Sequence, residues 1–329
     1  MFCQKRGNAG TGGRKTYTII AAVYCCVFSE IILLTDTCHL YKHGSYIFLM
    51  YKTIKMKKII APVDFSAAAE NSAKFAASLA EFYGAELWLY HSYEIIIPVS
   101  EIGYAYVNQK EMQEAAEFEL NEFKKRIQAS LKNALTVHCI AENSTLTEGL
   151  VQLCEKEKPE LIVMGLSGKN ALTRLVVGSN TIRTIHHLSY PILVIPPNAE
   201  FIPVRKIGFA CDFEKVLETT SLEPLKKITR DFNAELFVLN IIFNQSGTSQ
   251  EKMEQSKYVG EVLKEFKPDY QTVLSDDVTH GINWFVEKEK LDWVAVIPKK
   301  HNLIESLFKR SQTKHLLHHT HVPVLCIHD

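Results

Sequence analysis

The chain has 329 residues, 47% hydrophobic and 22% charged, enough for about two domains with ordinary globular cores. Lys plus Arg and Asp plus Glu number 37 each, so no basic excess exists to hold a polyanion, and nucleic acid is excluded as an expected partner. Eight cysteines, at 3, 25, 26, 38, 139, 154, 211 and 326, form neither a C-x-x-C pair nor a zinc-type spacing. The last four lie in apolar or strand-like runs and read as small buried hydrophobes in a reducing compartment.

Residues 1–55 differ in character from the rest of the chain. A basic start (Lys5, Arg6, Arg14, Lys15) precedes an apolar stretch from Ile19 to Leu34, broken by Ser29 and Glu30. That stretch is short for a membrane span of roughly 20 residues and long for a signal core of about 7 to 15, and no clear small-residue cleavage site comes after it. Met56-Lys57-Lys58-Ile59-Ile60 looks like a natural beginning, because a strand starts there at once. Residues 1–55 are therefore expected to be an extension outside the fold, and a membrane anchor is not expected.

From Lys57 short β-branched runs alternate with longer helical ones. Ile59 to Val63 reads as a strand, and Ser66 caps a helix whose Ala69, Ala73, Ala76, Ala77 and Ala80 recur at helical spacing until Gly84. Glu86 to His91 is a second strand, 111 to 131 a charged amphipathic helix, and Leu135 to Cys139 a third strand. Thr145 and Glu148 make a capping box ahead of Leu146, Leu150, Leu153 and Cys154. Leu161 to Met164 is a fourth strand, and after a helix from Ser179 comes the fifth, Pro191 to Ile195. Strands alternating with helices predict a parallel sheet wound on both faces.

Between the fourth strand and the Ser179 helix runs Gly165-Leu166-Ser167-Gly168, nine residues, then Gly178-Ser179. Phosphate needs converging backbone N–H groups, no Cβ in the way and a helix N-terminus, and this segment offers all three. Ser179, Asn180 and Thr181 would supply a cap and free first-turn amides. On the run alone, a phosphate cradle and an ordinary strand-to-helix loop both stand open.

The second half repeats the first. Lys58 to Phe65 matches Lys206 to Phe213, and Ala85-Glu86-Leu87 matches Ala234-Glu235-Leu236. Further on the copies run 132 residues apart, with Gly149 on Gly281, Glu155 to Lys158 on Glu287 to Lys290, His186-His187 on His318-His319, and Pro191 to Val194 on Pro323 to Cys326. Pro196, Pro197 and Pro203 mark the join. At the same spacing Gly165, Gly168 and Gly178 become Ile297, Lys300 and Arg310, while Ser179 keeps its counterpart Ser311. Restored Cβ atoms where phosphate would lie predict that the second copy has lost the site; anion binding by Lys299, Lys300 and Arg310 is the alternative.

These residues resemble the universal stress protein family in a tandem arrangement over about residues 57 to 329. The family's ATP-binding signature is G, two residues, G, nine residues, G, then Ser or Thr, and Gly165, Gly168, Gly178 and Ser179 fit it without a gap. The resemblance implies an α/β fold of two tandem Rossmann-like domains of the adenine nucleotide alpha hydrolase type, each a five-stranded parallel sheet of order 3-2-1-4-5 with helices on both faces. It divides the chain into a nucleotide-binding domain at 56–197, a linker at 198–205 and a degenerate domain at 206–329. Ligands in such sheets bind at the strand carboxyl ends beside the switch point.

The family site carried onto this sequence would put adenine and ribose near Pro62, Val63 and Asp64, with Ser92 lining the base pocket. Met164 and Gly165 would back the ribose, and Gly168, Gly178, Ser179, Asn180 and Thr181 would hold phosphates. The implied cofactor is ATP, possibly with Mg. Asp64 has a second reading as a turn residue bonding backbone amides, supported by its recurrence as Asp212. Ser167 stands where many relatives carry His or Arg, so a charge contact from that position is not expected.

Other clusters point to less. His315, His318, His319, His321 and His328 with Cys326 do not form one metal face, so no metal site is expected. The G-x-S-x-G elbow and the P-loop lysine are absent, so at most weak ATP hydrolysis is indicated. The apolar Ile192 to Ile195 is an edge that invites pairing, and Val322 to Ile327 could supply the partner within the chain, an intramolecular pseudo-dimer; a further homodimer stays open. The expected function is a cytoplasmic stress-response regulator in which nucleotide shifts loops 165 to 178 and 92 to 110 and alters docking of a protein partner. The competing class is a nucleotide-independent interaction module.

Overall fold

The computed structural model describes residues 42–43, 46–47, 56–95, 99–100, 103–104, 108–166, 179–214, 216, 221–242, 250–298 and 320–327. Ser167, Gly168, Gly178, Lys299, Lys300, Arg310 and Ser311 lie outside them, as do His315, His318, His319, His328 and most of the first 55 residues. The chain divides into two units, Met1–Tyr51 and Lys52–Asp329. In the first, Lys42–His43 pairs antiparallel with Tyr46–Ile47.

The second unit is built on a ten-stranded sheet and also carries a separate antiparallel pair, Val99–Ser100 with Gly103–Tyr104. Its first half runs β1 (Lys58–Pro62), α1 (Ala67–Tyr83), β2 (Glu86–Tyr93), α2 (Gln109–Ala129), β3 (Val137–Asn143), α3 (Leu146–Glu157), β4 (Leu161–Gly165), α4 (Ser179–His187) and β5 (Ile192–Ile195). The second half runs β6 (Lys206–Ala210), α5 (Glu223–Phe232), β7 (Glu235–Ile242), α6 (Gln250–Leu263), β8 (Asp269–Leu274), α7 (Val278–Glu289), β9 (Trp293–Val296) and β10 (Val324–Cys326). The ten strands lie in the order β8-β7-β6-β9-β10-β5-β4-β1-β2-β3, so each half has the order 3-2-1-4-5. Pairing is parallel within each half. The halves meet antiparallel, with Val324 opposite Val194, Leu325 opposite Leu193 and Cys326 opposite Ile192.

The strand residues split by face, as the two-residue period requires. Ile59, Ala61, Leu161, Val163 and Leu193 bury against α1 and α2, and Ile207, Phe209 and Leu325 continue that layer against α5 and α6. Ile60, Ile162, Met164, Ile192 and Val194 bury on the other face against α3 and α4, with α7 covering Val294 and Val324. Each fully buried Leu or Ile contributes roughly 1.5–3 kcal/mol of transfer free energy.

Helix boundaries are set by their caps. Ser66 Oγ accepts from Ala69 N at 3.2 Å, and Gly84, at φ 65, ends α1 with its N–H on the Ala80 and Glu81 carbonyls. Ala69, Ala73, Ala76, Ala77 and Ala80 of α1 are fully or almost fully buried. At α3, Glu148 N donates to Thr145 Oγ1 at 3.4 Å, but the Thr145 hydroxyl donates to Glu148 Oε2 at 2.8 Å, so the carboxylate takes the cap hydroxyl and not the cap amide. Two expected boundaries are corrected. The third strand is Val137–Asn143 and not Leu135 to Cys139, because its ladder to β2 runs from Leu87–Val137 to Tyr93–Asn143. Helix α2 starts two residues before 111, where Asn108 Oδ1 accepts from Lys110 N at 3.2 Å.

One further repeat is a carboxylate clamp under the central strands. Glu160 Oε2 accepts from Lys57 N and Lys58 N at 3.2 and 2.9 Å, and Asp292 Oδ2 accepts from Arg205 N and Lys206 N at 2.7 and 2.9 Å. Each clamp occupies backbone donors at the start of the first strand of its half.

Candidate functional site

Strands β1 and β4 are neighbours whose succeeding helices lie on opposite faces, and the chain opens a cleft between their carboxyl ends. One wall is the turn from β1 into α1. Val63 N donates to Tyr90 O at 2.8 Å, and Asp64 Oδ1 accepts from Ser66 N at 3.0 Å. Phe65 between them holds φ at 61. The opposite wall is the end of β4 with the first turn of α4, where Thr181 Oγ1 donates to Gly165 O at 3.1 Å.

Eight of the eleven residues singled out in the sequence line this cleft: Pro62, Val63, Asp64 and Ser92 on the β1–β2 side, Met164, Gly165, Asn180 and Thr181 on the β4–α4 side. Ser179 heads α4, is exposed and is not among the lining residues. Gly168 and Gly178 lie outside the described residues. Sequence reasoning missed Ser66, Ala68 and Ala69 of the α1 first turn and Leu146, the first residue of α3. Ser66 was legible only as a cap, and nothing local marks Leu146, which reaches the cleft because β3 ends beside it.

The chemistry of the described lining is neutral except for Asp64, with no Lys or Arg. Backbone amides and hydroxyls supply its polarity, and α4 presents its N-terminus there. The bareness of Gly165 has a packing cause as well: a Cβ would stand 2.7 Å from Ala68 O and 3.2 Å from Ser72 Oγ. Its counterpart Ile297 is buried in the second half.

Around the cleft the second half copies the turn. Asp212 Oδ1 accepts from Glu214 N at 3.0 Å and Phe213 holds φ at 53, so the aspartate's turn role is common to both copies. The described thiols are passive: Cys154, Cys211 and Cys326 are buried and Cys139 is half-buried. Burial pushes the Cys154 thiol up to about 12 and raises Cys139 and Cys326 too. Among the described residues no group of three His, Cys, Asp or Glu side chains could hold a metal ion. His321 pairs with Glu287 at 3.3 Å. No helix among the described residues is long and apolar enough to cross a membrane.

Fold and cleft together define a doubly wound α/β protein with a cleft at the topological switch point of its first half. The family model for universal stress proteins matches residues 55–196. A universal stress protein of Methanocaldococcus jannaschii is 27% identical over 141 residues, covering 42% of this chain and 81% of the relative. One of Thermus aquaticus is 28% identical over 141 residues, covering 42% of this chain and 98% of the relative. The crystal structure of a universal stress protein from Archaeoglobus fulgidus superposes with a TM-score of 0.56 at 15% identity, covering 82% of this chain and 97% of that one, a likeness of fold that extends over both halves. The chain thus matches the universal stress protein family in both comparisons of sequence, the family model over residues 55–196.

Proposed function

We infer that the first half, residues 56–197, binds an adenine nucleotide, ATP foremost, with or without Mg, and that the second half is a degenerate copy that binds none. The observation that supports this reading is the cleft between β1 and β4, which gathers side chains distant in sequence, from Pro62 to Thr181, at the sheet's switch point. Uncharged walls suit a base and sugar, Asp64 suits ribose hydroxyls, and the α4 N-terminus with the glycine run suits the phosphates.

The output of such a site is conformational: nucleotide biases the segments 165–178 and 92–110, which start from the lining residues Gly165 and Ser92, and so changes what a protein partner meets. In a reducing, cytoplasmic setting this is the behaviour of a stress-response regulator. ATP titrated into the full chain tests the binding. Gly178→Ala is expected to weaken it roughly tenfold or more, because a Cβ displaces phosphate from the backbone; equal affinity in both proteins would remove the cradle.

A second reading is favoured by three internal contacts. Asp64 Oδ1 is held by Ser66 N, Thr181 Oγ1 is spent on Gly165 O, and Gly165 is bare for Ala68, so each feature also serves the fold. On that reading the protein is an interaction module that ignores nucleotide, and mass spectrometry of the protein purified under native conditions would find no adenine compound with it.

A further inference from the structure

The carbonyl oxygen of Val63 lies 2.8 Å from His91 Nδ1. A carbonyl only accepts, so Nδ1 must carry the proton of this bond. The Val63 N–H donates to Tyr90 O, so consecutive residues of β2 hold both backbone groups of Val63. The ring of His91 also lies 4.4 Å, centroid to centroid, from that of Phe65. Phe65 occupies the left-handed region, which a bulky side chain enters only when its surroundings hold it there. His91 thus grips the turn on both sides of Asp64, by the carbonyl before it and by the ring after it.

The second half makes the carbonyl bond of this grip with another residue. Asn240 Nδ2 donates to Cys211 O at 2.8 Å, Cys211 N donates to Leu239 O at 2.9 Å, and Phe213 repeats the positive φ. An imidazole in one copy and an amide in the other reach the same carbonyl. What the fold keeps is the donor.

The geometry points to His91 as a positioning residue for the candidate cleft: its Nδ1–H on Val63 O holds the Val63–Asp64–Phe65 turn, and with it the Asp64 carboxylate and the first turn of α1, in the arrangement that receives the nucleoside part of the ligand. This inference rests on the adenine-nucleotide reading above. His91 does not line the cleft; it acts through Val63, Asp64 and Ser66, which do. Without the donor, the peptide plane ahead of Asp64 is free to turn toward water, and the carboxylate it carries loses its fixed place.

The test uses the full chain as wild type, His91→Leu, His91→Asn and Asn240→Leu, with two readouts. The first is amide exchange at Ser66 and Ala69 in nucleotide-free protein, which His91→Leu should accelerate and His91→Asn should leave unchanged. The second is ATP affinity, expected to fall roughly fivefold to tenfold in His91→Leu, the equilibrium worth of one ordinary hydrogen bond, and to stay within about twofold in the other two variants. Wild-type affinity and exchange in His91→Leu would overturn the proposal. So would an asparagine variant as weak as leucine, or an Asn240→Leu variant that weakens binding equally through general destabilisation. If wild type takes up no ATP while the amides respond as stated, the nucleotide reading fails and the grip on the turn stands. Should His91→Leu not fold, the nitrogen spectrum of wild type decides: a neutral His91 protonated on Nε2 removes the bond on which the argument is built.

Discussion

The hydroxyl of Thr181 donates to the carbonyl of Gly165 across 3.1 Å, tying the first turn of α4 to the last residue of β4. Those residues are sixteen apart in the chain, and their bond fixes where the segment between them must leave and return. On the other side of Gly165, the α1 backbone at Ala68 approaches so closely that no Cβ fits. The floor of the cleft is therefore held by contacts internal to the fold.

Gly165→Ala is expected to destabilise the protein by about 1–3 kcal/mol in the absence of ligand, since the methyl group forces β4 and α1 apart. Urea denaturation of the ligand-free chain measures it. A variant as stable as wild type would mean that α1 yields at no cost and that Gly165 is bare for the ligand alone.

Asp64→Ala and Asp212→Ala remove the same side-chain bond from equivalent turns. Each should cost about 0.5–1 kcal/mol of stability. Only Asp64→Ala should change ATP affinity. Isothermal titration of the two variants against wild type separates the shared turn role from a role in binding, and equal affinities in all three would confine Asp64 to the turn.

Tyr90 is fully buried, and its hydroxyl bonds Glu142 Oε2 at 3.2 Å and Ser144 Oγ at 3.0 Å. Burial raises its ionisation first, Glu142 adds to the rise and Ser144 opposes it, leaving the phenol pushed up to about 12 from an ordinary 10.0. A group whose folded value is raised stabilises the fold fully below its unfolded value. Its contribution is then lost as pH climbs from about 10 to about 12, at no more than about 1.4 kcal/mol per pH unit. Tyr90→Phe should therefore show a flatter alkaline limb than wild type when denaturation midpoints are compared across that window, and parallel limbs would count against the burial of the phenol.

The seam between the halves is apolar on both sides, with Leu193 facing Leu325, each buried. Leu193→Ala and Leu325→Ala should each cost about 2–5 kcal/mol, and in the double variant the sum of the two is not expected, because the residues touch a common space. Far-ultraviolet and tryptophan signals should still fall together in each single variant. Separate transitions would mean that the two halves unfold independently and that the shared sheet contributes little.

Much of the first half was legible along the chain. The Ser66 cap, the alanine face of α1, its Gly84 stop and the β-branched runs depend on neighbours within a few residues, which is why their positions read correctly. The start of α2 and the limits of β3 read poorly. Asn108 is an inconspicuous cap, and β3 is an edge strand with a half-buried pattern, so its length is set by its ladder to β2 and not by its own composition. In the site, residues next to a glycine or at a strand end could be named in advance. Leu146 and Ala68 could not, because they enter the cleft only when α3 and α1 are docked on opposite faces of the sheet. Nothing local marks the carboxylates Glu160 and Asp292 either, since each bonds backbone of a strand far upstream in the chain.

By itself the sequence determined the repeat, the alternation of strands and helices and the parallel sheet they imply, because hydrophobic period and caps are local properties that survive in any context, while the order 3-2-1-4-5 was implied by the family resemblance. Only the tertiary structure decided the antiparallel register of the join that the edge Ile192 to Ile195 and its offered partner Val322 to Ile327 make, which carbonyl His91 serves, and why Gly165 bears no side chain. Those outcomes depend on distances between groups far apart along the chain, and such distances exist only after both faces of the sheet have been covered.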